Sequence, residues 1–123
     1  MLRVGIDLLA IARVEHTLAR YGERFYGRFF TLEERALCAG SPPRLAARIA
    51  AKEAAAKALG VGIGDVRWVD IEIAQDARGR PVLRLHGAAL ALAKQLGLAE
   101  WEVSLTHENG QAAAVVVMMG PLR

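Results

Sequence analysis

The stretch from Pro42 to Gly60 constrains the fold more than any other part of the sequence. Ser41 and the two prolines after it supply a helix cap and a first turn, and Gly60 supplies a helix stop. Many alanines fill the interior, and alanine favours helix strongly. Because their side chains are small, another element of the chain can approach closely. The sequence therefore predicts a long helix here with a near neighbour.

Two kinds of periodicity organise the residues before this helix. Residues 2–8 alternate apolar side chains with Arg3, Gly5 and Asp7, which predicts a first strand with Asp7 near its end. Helical spacing follows in residues 11–18. A capping box of Thr31 and Glu34 then predicts a second, short helix.

The second half of the chain is typical of hairpins. Apolar and other side chains alternate over residues 68–73, which predicts a strand. A turn follows at 76–80, and residues 81–85 are predicted to form the returning strand of a hairpin. A helix over 87–96 precedes two strands joined through Asn109-Gly110, the strongest short hairpin signal. The order is β-α-α-α-β-β-α-β-β. Because hairpins dominate the pairing, we predict an α+β fold with an antiparallel sheet and helices packed against it.

Length and composition limit the number of domains and the cellular compartment that we expect. The 123 residues fit a single domain, 1–123, without repeat or linker. The single cysteine, Cys38, excludes an intramolecular disulfide and a cysteine-based zinc cluster and fits a reducing compartment. The N-terminus has no signal-peptide pattern, and no apolar run approaches the ~20 residues that cross a bilayer. We therefore expect a cytoplasmic protein without a membrane partner.

The last predicted strand, residues 112–119, has no polar residue on either face. A strand of this kind is buried on both sides. In a chain this small, the second face would be covered by a long helix or by another subunit. A core strand within a monomer remains an equal alternative.

Positive charge is concentrated in the first half of the chain. Residues 1–60 hold ten Lys and Arg against six Asp and Glu, whereas residues 61–123 hold six against seven. A basic half suggests an anionic partner, which could be a nucleic acid, a phosphorylated small molecule or an acidic protein. A solvated arginine-rich surface would give the same pattern, so charge alone does not decide.

Glu53 stands out on the predicted long helix. At 100° per residue it falls among Ala46, Ile49 and Ala56, and Lys57 lies one turn further on the same side. A carboxylate buried without a partner is costly, so it requires a cation: Lys57, an arginine or a metal ion. An ordinary surface pair with Lys57 is the alternative. The residues alone leave both open.

Two further features are weak signals when taken alone. The glycine run at 60–64 allows a tight turn and close approach to a ligand, but it lacks the pattern of a Walker or dinucleotide-binding loop. His107 ends an apolar strand face, where a packed histidine is common and a phosphate donor is also possible. Neither feature identifies a site.

Taken together, these segments resemble the holo-acyl-carrier-protein synthases, the small phosphopantetheinyl transferases. The matching segments cover almost the whole chain in order: Gly5-Ile6-Asp7-Leu8, Phe30-Thr31-Leu32-Glu33-Glu34, residues 48–63, Asp70-Ile71-Glu72-Ile73, Gly79-Arg80-Pro81 and Ser104-Leu105-Thr106-His107-Glu108. The Lys-Glu-Ala-x-x-Lys-Ala-Leu-Gly segment within 48–63 is specific. Ala10 and Ile49 depart from the family pattern without removing a metal ligand.

The resemblance implies a reaction and a magnesium site. The 4'-phosphopantetheine group of coenzyme A would pass to a serine of acyl carrier protein for fatty acid synthesis, releasing adenosine 3',5'-bisphosphate. Asp7 and Glu53 match the two Mg²⁺-ligating carboxylates, with the coenzyme A pyrophosphate and water completing the shell. Lys57 matches a lysine that faces this pyrophosphate and offsets its charge.

The resemblance also implies binding surfaces. Arg48 and His107 match positions near the nucleotide 3'-phosphate, and Gly60 and Gly62 belong to the matched coenzyme A-binding segment. Arg13, Arg24 and Arg28 resemble the basic surface that receives the acidic carrier. Family members are typically homotrimers with sites between subunits, which would explain the doubly apolar last strand.

A small basic module that binds RNA or single-stranded nucleic acid is the alternative from another functional class. Such modules stack bases on aromatic side chains of a sheet face. Aromatic residues make up only 6% of this chain, and Trp68 and Trp101 do not form a predicted platform. The transferase is therefore the favoured prediction, without a nucleic-acid partner.

Overall fold

Helices and strands occupy most of the residues that this computed structural model describes, 1–62 and 64–121. Ile63, within the predicted glycine loop, lies outside them. The elements are β1 (Leu2–Ala10), α1 (Ile11–Tyr21), α2 (Glu23–Phe29), α3 (Leu32–Cys38), α4 (Pro42–Leu59), a 3₁₀ turn (Trp68–Asp70), β2 (Ile71–Gln75), β3 (Pro81–Leu85), α5 (Gly87–Gln95), β4 (Glu100–Glu108) and β5 (Gln111–Met119).

The strands form two antiparallel sheets. One has the order β1-β5-β4, and the other is the β2-β3 hairpin. In the larger sheet Asp7 pairs with Ala114, which pairs on its other side with Leu105. The predicted α+β class, with antiparallel pairing and packed helices, is confirmed.

The structure adds detail at two places. The first predicted helix is divided at Gly22, whose positive φ of 53° ends α1 and lets α2 begin in a new direction. Four helices therefore precede β2, where the sequence predicted three. Residues 68–70, predicted as part of a strand, form the 3₁₀ turn before β2.

Helix α4 lies at the centre of the packing, as its alanines permit. Most of its residues are buried, and it packs against β1 and β5 on one side and β2 on another. Its Ser41 cap and its left-handed Gly60 stop are both present. None of the helices in the described part of the chain is long and apolar enough to cross a membrane.

The two faces of β5 differ. Val116 and Met118 are fully buried on the face toward α4, whereas Val117 on the other face is 37% exposed. Beside it, the outward side chains of β1 are between 63% and 70% exposed: Leu2, Val4, Ile6 and Leu8. The prediction that β5 is buried on both sides is therefore wrong for the chain by itself, because only one face is covered. An open aliphatic surface remains, which we call the outer sheet face.

Candidate active site

The close packing of α4 on β1 brings Asp7 and Glu53 into one cavity of about 350 Å³. Asp7 lies on the same face of β1 as Gly5, since side chains alternate along a strand. At Gly5 the helix backbone is so close that an added Cβ would stand 1.8 Å from the Ala54 carbonyl oxygen. This contact is next to Glu53 in the helix. The two acidic residues, 46 positions apart in sequence, therefore meet because β1 has no side chain at Gly5.

The two carboxylates affect each other electrostatically. Burial raises the pKa of the Glu53 carboxyl above its ordinary value, and the negative charge of Asp7 raises it further, although Lys57 and Arg13 act in the opposite direction. Asp7 is itself only 17% exposed. Two neighbouring carboxylates that are largely removed from water are an arrangement that a bound cation would stabilise.

Lys57 contacts Asp7, one of the two acidic residues that line the cavity. Its ammonium Nζ donates to the Ile6 carbonyl oxygen at 2.9 Å and to Asp7 Oδ1 at 3.2 Å. Among the ion pairs of the described residues, Lys57 is paired with Asp7 and not with Glu53. The simple Glu53–Lys57 surface pair considered from the sequence is therefore not formed. Because Lys57 remains 55% exposed, its charge can also reach a ligand in the cavity.

The donor set fits Mg²⁺ under one condition. No group of three or more His, Cys, Asp or Glu side chains able to hold a metal occurs within residues 1–62 and 64–121. Mg²⁺ is usually held by one or two carboxylates, with waters and substrate phosphates as the other ligands. Two facing carboxylates therefore suffice when a phosphorylated substrate completes the shell.

Aromatic side chains line another part of the same cavity, which we call the aromatic wall. Phe25 and Phe29 come from α2, and Trp68 comes from the 3₁₀ turn before β2. The rings of Phe29 and Trp68 pack with centroids 4.9 Å apart. Ile49, one turn before Glu53 on α4, lines the same space. The cavity is thus polar at the carboxylates and apolar beyond them.

A basic groove adjoins the cavity. Arg24 and Arg28 line it together with Phe25 and Phe29, which both spaces share. Both arginines are exposed, and the Arg28 guanidinium carbon lies 5.7 Å from the centroid of the Phe29 ring. Arg13, also exposed, lines the carboxylate cavity directly. The three predicted arginines therefore line either the carboxylate cavity or the groove next to it.

Two predicted residues lie elsewhere. Arg48 is buried at 6% exposure, and its Nε donates to the carbonyl oxygen of Ile73 at 3.2 Å on the β2 side of α4. His107 is exposed on β4 and lines a separate depression beside Pro43. Neither side chain lines the carboxylate cavity of its own chain, and their nucleotide contacts stay predictions.

The glycines that follow α4 have different surroundings. Gly60 ends the helix in the left-handed region, with φ of 79°, and Arg3 Nη2 lies 2.6 Å from where its Cβ would stand. Gly62 is exposed, and nothing would lie within 4 Å of a Cβ there. Packing against Arg3 therefore explains the glycine at position 60. At Gly62 none of the described residues would hinder a side chain.

Sequence reasoning missed the buried lysine beside Glu53. Lys52 is fully buried, and its Nζ lies 2.8 Å from Glu34 Oε1, also fully buried. Glu34 had been identified through the capping box, which is present. A periodic pattern cannot reveal this pair, since a lysine within an alanine-rich helix is usually on the surface. The adjacent charged residues Lys52 and Glu53 were the one indication in the sequence. Neighbouring residues of a helix face different directions, so the two charges could not both lie on the same side of α4.

Comparison with known proteins was made against family models and against individual relatives. The model of the 4'-phosphopantetheinyl transferase superfamily matches residues 3–116. A holo-[acyl-carrier-protein] synthase of Herpetosiphon aurantiacus is 50% identical and is matched over 98% of this chain and its own full length. The enzyme of that name from Solidesulfovibrio magneticus is also 50% identical, over 95% of this chain and 97% of its own.

Solved structures agree with this match. The holo-[acyl-carrier-protein] synthase of Helicobacter pylori, solved in complex with coenzyme A, superposes with a TM-score of 0.87 at 33% identity. The match covers 94% of this chain and 99% of that one. The synthase of Neisseria meningitidis gives a TM-score of 0.85 at 35% identity, over 95% and 97% of the two chains.

Proposed function

Because the chain belongs to the 4'-phosphopantetheinyl transferase superfamily, we propose that it is a holo-acyl-carrier-protein synthase. It transfers the 4'-phosphopantetheine group from coenzyme A to a serine hydroxyl of apo acyl carrier protein. The serine oxygen forms a bond to the β-phosphorus, and the bond from that phosphorus to the bridging oxygen breaks. Adenosine 3',5'-bisphosphate leaves, and the serine proton passes to solvent or to a base.

One observation carries this proposal beyond family membership. Asp7 and Glu53 line one cavity, and the ammonium of Lys57 is paired with Asp7. A reaction that moves a phosphoryl group requires positive charge beside the phosphates and a means of holding them in line. Here Lys57 supplies positive charge, and the cavity supplies a place in which the phosphates can be held.

Asp7 and Glu53 would hold the Mg²⁺ ion in this proposal. When bound, the ion would offset the charge on the pyrophosphate and help to align it with the attacking hydroxyl. Lys57 would bring its ammonium near the leaving group, where a point charge stabilises developing negative charge. The aromatic wall of Phe29 and Trp68 would limit the water that reaches the reacting atoms once substrates fill the cavity.

The acidic carrier protein is proposed to dock on the basic groove. Arg24 and Arg28 border the groove, and Arg13 lines the adjoining cavity. This arrangement would bring a serine presented by an acidic partner directly to the carboxylates. We extend the proposal to fatty acid synthesis in the cytoplasm, where an acyl carrier protein would be the substrate.

A homotrimer is proposed through the outer sheet face. The exposed side chains Val4 and Ile6 of β1 pair in register with Val117 and Val115 of β5, so their aliphatic groups form one continuous surface. Exposed aliphatic surfaces of this kind mark protein interfaces. In such an assembly the exposed His107 of one subunit would be available to the coenzyme A bound by its neighbour.

Introducing a charge on the outer sheet face is expected to break the assembly. Val4→Glu would place a carboxylate among aliphatic side chains, and burying it without a partner is unfavourable. Light scattering coupled to size exclusion should give the mass of three chains for the wild type and a lower mass for the variant. Leu32→Glu, at an 85% exposed position on α3, is the matched control. An unchanged mass for Val4→Glu would contradict the proposed interface.

The reaction itself is tested by mass spectrometry of the carrier. The protein is incubated with coenzyme A, Mg²⁺ and an apo acyl carrier protein, and the carrier is weighed. The expected result is the gain of one phosphopantetheine group, with adenosine 3',5'-bisphosphate as the second product. If a known synthase modifies the same carrier and this protein does not, the proposed function is wrong.

The nucleic-acid alternative is not supported. The exposed face of the larger sheet carries aliphatic side chains. Phe25 packs against Phe29 and Phe30, and Phe29 packs against Trp68. Stacking of bases needs exposed aromatic faces. The relatives described above are holo-[acyl-carrier-protein] synthases, so no observation favours a nucleic-acid partner.

A further inference from the structure

A fully buried ion pair lies next to Glu53 on α4 and takes no part in the proposed chemistry. Lys52 and Glu34 are both 0% exposed, and Lys52 immediately precedes Glu53 on α4. A buried ion pair is weak evidence for stability, because apolar residues of similar volume often serve as well. A requirement for defined geometry is the better explanation, and the partners of the pair indicate which geometry.

The Lys52 ammonium contacts two elements besides α3. It donates to Glu34 Oε1 at 2.8 Å, to the Trp68 carbonyl oxygen at 3.0 Å and to the Ile71 carbonyl oxygen at 2.6 Å. An ammonium has three donors, so all of them are used. One of the three acceptors belongs to Trp68, whose side chain lines the cavity.

Glu34 is held equally firmly. Its Oε1 accepts from the Thr31 backbone N–H, and its Oε2 accepts from the Ile73 backbone N–H, both at 2.9 Å. The carboxylate therefore connects the start of α3 with β2. We call Lys52 and Glu34 the buried clamp.

The clamp acts on both walls of the cavity. Successive residues of a helix point about 100° apart, so Lys52 faces β2 and the 3₁₀ turn while Glu53 faces β1. Fixing Lys52 fixes the rotation of α4 and with it the direction of Glu53. The hydrogen bond to the Trp68 carbonyl oxygen holds the backbone that carries one side chain of the aromatic wall.

We propose that Lys52 is a positioning residue, which through the buried clamp sets Glu53 and Trp68 relative to each other. Its effect on catalysis rests on the proposed transferase function. Its effect on Trp68 does not, and this allows the two to be tested separately.

The test removes the clamp without leaving a buried charge alone. Lys52→Met keeps the apolar stem but leaves Glu34 unpaired, which can prevent folding. The double variant Glu34→Gln/Lys52→Met removes both charges and is the main test. Trp101→Phe is introduced into every protein, so that Trp68 is the only remaining tryptophan. Circular dichroism identifies the folded variants.

Two measurements are made on the folded proteins below their melting temperature. Acrylamide quenching of Trp68 fluorescence should increase when its anchor is lost. The kcat of carrier modification should fall about 10- to 100-fold, since a displacement near 1 Å has effects of this size. The KM for the carrier should change less than kcat, because Arg24 and Arg28 lie on α2 and the hydrogen bonds of the clamp run to other elements. Lys94→Met, at an exposed position of α5, should change neither quantity.

The results discriminate clearly. Unchanged quenching in the folded double variant would overturn the proposal, and so would increased quenching with an unchanged kcat. If the wild-type protein does not modify any carrier, the transferase function is wrong, and the quenching comparison alone then decides whether Lys52 positions Trp68.

Discussion

Glu53→Gln is expected to remove most transfer activity while the protein stays as stable as the wild type or becomes more stable. Burial and the charge of Asp7 raise the pKa of Glu53, so the folded protein disfavours the ionised carboxylate relative to the unfolded chain. A group with a raised folded-state pKa stabilises the fold at low pH and loses this contribution as the pH rises through that pKa. A neutral amide avoids this loss. The stability near pH 7 should therefore not fall.

Activity should change in the opposite direction. An amide lacks the charge with which the carboxylate would hold Mg²⁺, and losing charge stabilisation of the transition state costs about 100-fold or more in kcat. Modification of the carrier is followed by mass spectrometry with Mg²⁺ in excess. The matched control is Glu33→Gln, at a half-exposed carboxylate on α3, which should keep wild-type activity.

Thermal shifts provide a readout that is independent of turnover. In the presence of coenzyme A, added Mg²⁺ should raise the melting temperature of the wild type, because a ligand that binds only the folded state stabilises it. The same addition should have little effect on Glu53→Gln. If the variant retains full activity and the full metal-dependent shift, Glu53 is not a metal ligand, even though the family assignment stands.

The elements of the fold could be predicted from the sequence because each has a local cause. The capping box at Thr31, the Ser41 cap and the Gly60 stop mark helix ends, and all three are present. The Asn109-Gly110 hairpin also forms, with positive φ at both residues. Gly22 was missed as a helix break, since a single glycine inside a helical pattern is often tolerated.

The site could be predicted only in part. Periodicity identified Glu53 as an anomalous carboxylate, but its proximity to Asp7 depends on tertiary packing that no local pattern contains. The resemblance to a family supplied that connection. Lys52 and Trp68 were not identified as neighbours of the site, because their roles depend on hydrogen bonds between α4 and the turn before β2. Arg48, one turn before Lys52 on α4, also donates to a carbonyl oxygen of β2. This contact depends on tertiary packing and could not be inferred from the sequence pattern.

The packing of β1 against α4 leads to the second large effect. Gly5→Ala would place a Cβ 1.8 Å from the carbonyl oxygen of Ala54 and 2.9 Å from the backbone nitrogen of Ala58. Both atoms belong to the helix backbone, so no rotamer change or side-chain truncation can relieve the clash. Either α4 or β1 must move. Overpacking of this kind usually costs about 1–3 kcal/mol and occasionally more.

The displacement should affect activity as well as stability. Asp7 lies two residues beyond Gly5 on the same strand face, and Glu53 is adjacent to Ala54 in the helix, so separating the backbones separates the carboxylates. We expect a lower free energy of unfolding in urea and, in the fraction that folds, a kcat reduced at least about 10-fold. Gly27→Ala is the control, because this α2 glycine has nothing within 4 Å of an added Cβ and alanine favours helix. A Gly5→Ala protein with wild-type stability would show that α4 can move away from β1 at no cost. Wild-type activity would show in addition that the two carboxylates do not need this close packing.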